Sequence, residues 1–418
     1  MKQLVKKAWS NVFFQGSFFY TVTNFINIFI NYLFNVFAAK TLGPHDFGEI
    51  SAFFSYLILL TTPIGIVSTF LIIKIGESKN PKDYSASVLA WLHGKIKKFW
   101  IFCIPLLLIV PFVPKLTNLS PLVVYTLVPT VIAMYFLAIY EGEIQGLHLF
   151  RINSLYGVVF SAVKLLGAVI IYFTTSNLWV VMLFIFLAFF VKFILSYLLL
   201  KKTLIKAKVS HISKSILEVI KDKHLLLTLI SSVSIAILTN LDIIYVKKMF
   251  TGEDAGIYAS WSLFGKVIIN SLGPLISLSF VFFSSKKHEL QHQLFFICAF
   301  LSLAVIGFIS LIVYGTYSRV FIDTFLGPKF YPVIPFVEWA SLYGTGFVML
   351  IFMNNYYLAK GSKKAYILAA AIPVYIVCLF IFGKGIGDVI LINIWFSFIV
   401  VAVYLLLFFK ARFASLWE

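Results

Sequence analysis

Five ionisable side chains other than histidine stand well inside long apolar runs: Lys164, Lys192, Asp242, Lys266 and Glu338. A charge in hydrocarbon is costly and persists where it faces a bundle interior, a pathway or a partner. A buried ammonium there is a receptor for an anion. A buried carboxyl changes protonation state readily and suits a coupling proton or sodium ion. Lys266 falls nine residues after Ile257, about 14 Å along a helix and hence near the bilayer midplane. Ser262, Lys266 and Asn270 share one helix face, so Lys266 is expected to point inward. Lys164 has Ser161 and Ala168 beside it and Glu338 has Ser341 and Thr345, whereas Lys192 has only Phe, Leu and Ala around it. Lys266 and Lys164 are therefore the candidate ligand-binding cations, with Asn270 on the Lys266 face. Asp242 and Glu338 are the candidate coupling carboxyls. The competing reading of Lys266 is a structural pairing with Asp242.

Asparagine supplies the second pattern. At 100° per residue Ser17, Tyr20, Asn24, Asn27, Asn31 and Asn35 fall on one side of the first apolar helix. Such a stripe lines a wet cavity or bonds to neighbouring helices, and both readings stay open at this point. A later run carries Thr228, Ser231, Thr239 and Asp242 on one side in the same way.

Metal chemistry has one literal match. His288-Glu289-Leu290-Gln291-His292 fits the H-E-x-x-H zinc pattern, in which two imidazoles share a helix face and the glutamate acts as base. The match sits in a polar loop and lacks a third ligand, because Glu218 and Asp222 lie in a different loop. No zinc centre is expected. The Gly265-Lys266 and Gly383-Lys384 pairs lack the glycine spacing and following Ser/Thr of a phosphate loop, so neither ATP nor any other cofactor is expected.

The elements that must position these groups are membrane helices. The chain of 418 residues is 61% hydrophobic and 12% charged with a mean hydropathy of +0.99, more apolar surface than a soluble domain can hide. Its net charge of +18 resides in short loops between spans and does not form a nucleic-acid footprint. Cys103, Cys298 and Cys378 lie in apolar runs without metal-ligand spacing and read as small apolar side chains.

Twelve spans are predicted near 12–38, 48–73, 98–114, 120–140, 154–174, 177–200, 225–248, 257–283, 293–315, 333–358, 365–382 and 389–409, each close to the roughly 20 residues a bilayer needs. The first run is too long and too rich in asparagine for a cleaved signal and is expected to stay as a span. Pro63 with Gly65, Pro105, Pro129, Gly273 with Pro274, and Pro373 predict kinks rather than breaks. Lys and Arg concentrate in the amino terminus and the even-numbered loops. The odd-numbered loops hold Lys40, Lys115, Lys247, Lys248, Arg319, Lys329 and Lys384, and this imbalance places both termini in the cytoplasm.

The halves look duplicated. Asn31–Thr62 reads as helix, turn at Gly43-Pro44 through Gly48, helix. Asn240–Asn270 reads as helix, turn at Gly252 through Gly256, helix, with Gly43 matching Gly252 and Gly48 matching Gly256. Internal repeats of this kind are typical of transporters. The organisation expected is an N-terminal six-helix lobe (1–200), a basic cytoplasmic linker (201–223) and a C-terminal six-helix lobe (224–418). The linker reads as a segment lying on the membrane surface. Lys95-Ile96-Lys97-Lys98, after Trp91 and His93, reads as an amphipathic extension whose lysines snorkel to anionic headgroups.

Asp242-Ile243-Ile244 running into Thr251-Gly252-Glu253-Asp254-Ala255-Gly256-Ile257-Tyr258-Ala259 resembles the start of the second half of polysaccharide-export (O-antigen-type) flippases. These belong to the multidrug/oligosaccharidyl-lipid/polysaccharide (MOP) exporter superfamily. Thr41-Leu42-Gly43-Pro44 with Phe47-Gly48 is similar to that family's first hairpin, and Gln145-Gly146-Leu147 with Phe150 to its loop after the fourth span. The resemblance runs nearly the whole chain in order. It implies an all-α MATE-like fold of two six-helix lobes around a central cavity. It also implies alternating access that moves a polyprenyl-pyrophosphate-linked oligosaccharide to the outer leaflet of the inner (plasma) membrane.

On that implication Lys266 and Lys164 would meet the pyrophosphate, Asn24, Asn27, Asn31 and Asn270 would bond to sugar hydroxyls, and Arg151 with His148 would meet the headgroup on entry. The partners implied are the lipid-linked glycan, membrane lipids and a polysaccharide polymerase or other assembly protein. Two readings compete: an ion-coupled multidrug/organic-cation antiporter of the same superfamily, which would want an acidic cavity, and a membrane glycan polymerase or glycosyltransferase, which would want a long outer loop.

Overall fold

The computed structural model describes residues 12–99, 110–174, 176–209, 223–284 and 292–417. The expected span 98–114 lies for the most part outside these residues. So do Cys103, Pro105, most of the basic linker and all of the H-E-x-x-H stretch except His292.

All described secondary structure is helical. The helices are α1 (Val12–Leu42), α2 (Pro44–Thr61), α3 (Gly65–Glu77), α4 (Pro81–Phe99), α5 (Val113–Thr117), α6 (Pro121–Gly146), α7 (Phe150–Phe173) and α8 (Leu178–Thr203), then α9 (Lys223–Met249), α10 (Gly252–Ser284), α11 (His292–Phe325), α12 (Val337–Ala359), α13 (Ile367–Phe382) and α14 (Ile386–Trp417). Among the described residues, eleven segments are long and apolar enough to span a bilayer, α2 and α3 counting together as one. The protein is a multi-pass membrane protein.

Proline acts largely as the sequence predicts. Pro129, Pro274 and Pro373 are accommodated inside α6, α10 and α13, since neighbouring groups in a membrane bundle satisfy the freed carbonyls. At Pro63 the helix tightens into a 3₁₀ turn, Thr62–Ile64, that separates α2 from α3. α11 kinks at Tyr317 without any proline.

The chain forms two compact units, Met1–Leu42 with Leu60–Leu225, and Gly43–Leu59 with Leu226–Glu418. In the first, α1 packs along α7, α7 along α8, α8 on α6 and α6 on α3. In the second, α12 is central: it packs on α10, α11 and α14, and 72% of its most apolar window is buried, against 17% for α11.

The second unit thus includes α2, an element from the first half of the sequence. Gly43 turns the chain at φ +82°, a conformation glycine adopts without strain, and α2 starts at Pro44. Phe47 packs edge-on to Phe330 at 6.0 Å. Glu49 forms a buried ion pair with Lys247 of α9 at 2.7 Å. The glycines matched by the internal repeat meet here: a Cβ on Gly48 would lie 2.9 Å from the Gly256 amide nitrogen. The second hairpin turns earlier than its sequence suggests, at Phe250-Thr251. There the Thr251 hydroxyl accepts from the Asp254 amide and donates to its carboxylate, and α10 begins at Gly252. The hydroxyl thereby caps one of the amides that a helix start leaves open.

Candidate functional site

In the first unit the asparagine stripe of α1 faces α7. Asn27 packs against Gly157, where an added Cβ would sit 2.9 Å from its Nδ2. Asn31 is the hub: its Nδ2 donates to the Asn27 carbonyl at 2.8 Å and to Ser161 Oγ at 3.3 Å, while its Oδ1 accepts from Lys164 Nζ. Asn35 donates to the Asn31 carbonyl at 2.8 Å, and Asn24 is half-buried. Of the two readings of the stripe, bonding between helices is thus realised at Asn31. The side chains of Ser17 and Tyr20 lie outside the described residues.

Lys164 is buried, with its ammonium 4.5 Å from the Phe34 ring centroid and 5.7 Å from that of Phe160. An ammonium over aromatic faces gains about 0.5–2 kcal/mol, most when desolvated. Lys192 differs from its sequence reading. Although its neighbours in sequence are apolar, its ammonium pairs with Glu141 of α6 and lies 5.7 Å from the same Phe160 ring. Periodicity along one helix does not reveal a partner on another, and Glu141 lies just past the predicted span end at 140, whereas α6 runs on to Gly146.

In the second unit Asp242 is completely buried and its Oδ2 accepts from the Tyr258 hydroxyl at 2.6 Å. The Tyr258 oxygen in turn accepts from Asn393 Nδ2 at 2.9 Å, and Asn393 Oδ1 accepts from Tyr375 at 2.6 Å. One polar network therefore joins α9, α10, α14 and α13 around a single carboxyl. Asn393 and Tyr375 escaped the sequence reading, and Tyr258 entered it only within the hairpin motif, because a lone tyrosine or asparagine in an apolar run carries no periodic signal.

Lys266 lies within electrostatic range of Asp242 but donates to Asn240 Oδ1, at 3.2 Å. Asn240 is anchored through its Nδ2 to the Ala236 carbonyl and the Thr239 hydroxyl, both at 3.0 Å. The register of the repeat gives this contact its meaning. Asn31 stands twelve residues before Gly43 and Asn240 twelve residues before Gly252. The same position in each half thus offers a neutral amide oxygen to a lysine of another helix.

The remaining candidates are not brought into these clusters. Arg151 and Asn270 are exposed, and His148 is exposed at φ +59° in the turn before α7. Glu338 is exposed in the first turn of α12, with Oε1 accepting from the Trp339 indole at 3.0 Å. It sits at a helix end because a 3₁₀ segment, Pro328–Phe336, occupies the start of the predicted span. Among the described residues no group of three or more His, Cys, Asp or Glu is placed to hold a metal ion.

No protein-family model matches the sequence, and no curated protein matches it either. Among solved structures the fold is similar to that of a multidrug resistance MATE family transporter of the MOP superfamily in an inward-facing conformation. The TM-score is 0.72 at 12% identity, covering 93% of this chain and 95% of that one. It is similar as well to the lipid II flippase MurJ in an inward closed conformation, with TM-score 0.65 at 17% identity over 94% of this chain and 87% of that one. A third likeness is to a MOP superfamily transporter from Pyrococcus furiosus whose binding pocket is described as reversed in polarity, with TM-score 0.61 at 14% identity over 96% of each chain. The chain has the fold of MOP-superfamily transporters.

Proposed function

We propose that the protein is a flippase that moves a polyprenyl-pyrophosphate-linked oligosaccharide from the cytoplasmic to the outer leaflet of the plasma membrane by alternating access. The observation that carries this reading is the pair of repeat-equivalent asparagines, each presenting an amide oxygen to a membrane-embedded lysine. An amide oxygen orients an ammonium without adding an opposite charge to it. A pyrophosphate entering a low-dielectric site needs such cations to offset its lost hydration. The greasy tail can stay in the bilayer, so the protein has only the headgroup and glycan to accommodate. One similar structure is a lipid II flippase, which handles a lipid cargo. Two lobes, with α2 carried by the second, would perform the rocking, and an assembly protein such as a polymerase would receive the product.

Asp242 is the coupling site in this scheme. Its carboxyl is buried with one tyrosine donor, so binding a proton or sodium ion there changes the charge at the junction of four helices. The same observation favours the second reading, an ion-coupled organic-cation antiporter, for which buried acid rather than buried base would do the recognition.

Flipping of a labelled polyprenyl-pyrophosphate oligosaccharide in proteoliposomes separates the two. Wild type is expected to flip it. Lys164→Ala and Lys266→Ala are each expected to slow it about tenfold or more, the equivalent of losing one charge-assisted hydrogen bond of roughly 1.5–3 kcal/mol. Undiminished flipping by both variants removes the lysines from the site while leaving the function. No flipping by wild type, with export of an organic cation instead, replaces the function.

A further inference from the structure

A second carboxyl is buried in the first unit, in a place no transport step has claimed. Glu143 lies on α6, three residues before its end at Gly146, so roughly 4–5 Å along the axis from the turn that follows. It is completely buried. Its Oε2 accepts from Ser85 Oγ of α4 at 3.0 Å, and its Oε1 has no hydrogen-bond partner among the described residues. No lysine, arginine or histidine nitrogen among those residues comes within 4 Å of it.

Among the described side chains, the charged groups on the surrounding helices are engaged elsewhere or exposed. Lys74 and Glu77 at the end of α3 pair with each other at 3.3 Å. On α4, Asp83 accepts from the Lys208 amide at 2.8 Å and Lys82 is exposed. On α6 itself Glu141 is bound to Lys192 of α8, and Tyr140 stands three residues before Glu143. Arg151 at the start of α7 and Lys201 and Lys202 at the end of α8 are exposed; the Tyr197 ring of α8 lies 6.1 Å from that of Tyr140, tilted by 39°. Lys223 and His224 at the start of α9 are exposed.

A carboxylate left with one hydroxyl donor and no cation is a poor occupant of such a site, whereas the neutral acid, its proton on the partnerless Oε1, is a good one. α4 closes the side of the site from which Ser85 reaches Glu143. It is fastened at Asp83, at Ser85 and through Val88, which packs with Phe70, Ile75 and Leu225. We propose that Glu143 is a proton-binding site of the first unit, separate from Asp242, and that release of its proton requires α4 to leave α6. On release the proton passes from Oε1 to water and leaves a carboxylate, which the closed site cannot hydrate. The site thus ties proton occupancy to the position of one helix, whatever cargo the protein carries.

The test uses the full chain in lipid nanodiscs. Infrared difference spectra of wild type against Glu143→Gln at neutral pH should show a neutral-carboxyl C=O band that the variant lacks. Hydrogen–deuterium exchange of residues 81–94, corrected for the intrinsic effect of pH on exchange, should lose protection at least about tenfold in wild type on going alkaline. It should not do so in Glu143→Gln, whose side chain imitates the neutral acid. No difference band, or an equal alkaline loss of protection in both proteins, overturns the proposal. If Glu143→Gln does not fold, Ser85→Ala decides: loss of its hydrogen bond shifts the band of a neutral Glu143 upward, and an unshifted spectrum overturns the proposal.

Discussion

Glu49→Gln is expected to destabilise the protein by about 3–5 kcal/mol, because it removes the opposite charge from a buried Lys247 ammonium. The two side chains are each only 3% exposed and meet at 2.7 Å. Coulomb attraction in such surroundings roughly offsets the desolvation of both charges, so the pair need not add net stability, yet losing half of it is costly. Lys247→Met alone should do comparable damage by stranding the carboxylate. The double variant Glu49→Gln/Lys247→Met should recover most of the loss, because neither charge then remains. Thermal unfolding of the four proteins in one detergent completes a double-mutant cycle, and a coupling energy under about 1 kcal/mol would show the pair to be incidental.

Gly256→Ala is expected to cost about 3 kcal/mol or more, at the upper end of overpacking penalties. The added Cβ would fall 1.7 Å from the Pro44 carbonyl oxygen and 2.2 Å from its carbon. Those are backbone atoms, which cannot rotate aside as a side chain would, so α2 and α10 must separate. Gly76→Ala is the matched control: a Cβ there meets nothing within 4 Å, and alanine should be neutral or better by up to about 1 kcal/mol for its helix propensity. Unfolding temperatures compared side by side check both. A Gly256→Ala protein as stable as Gly76→Ala would mean that the two hairpins do not pack as closely as these distances require.

The sequence made some features legible for plain physical reasons. Spans announce themselves because hydrocarbon must be matched by some twenty apolar residues, and the Gly48–Gly256 equivalence was visible because a close helix crossing forbids a side chain. The asparagine stripe was visible because helical period places its members on one face. The reading weakened where a contact depends on helices far apart in sequence. Lys247 was assigned to an outer loop, yet it is buried against Glu49; Lys192 was assigned apolar surroundings, yet it has Glu141. Glu143 was missed because the fourth predicted span stopped at 140, whereas the helix continues to Gly146. Asn240 opens the second copy of the repeat, but nothing in one sequence says that its amide oxygen meets a lysine 26 residues on.

The placement of α2 has a consequence for how the chain is made. Glu49 enters the bilayer early in synthesis, and Lys247 follows it by 198 residues. At about 5–20 residues per second the ribosome needs roughly 10–40 s to supply the missing lysine. Throughout that interval a nascent α2 carries Glu49 and the close-packing Gly48 without their eventual complements. The first half of the chain thus reaches its final contacts at α2 only after the second half has been made.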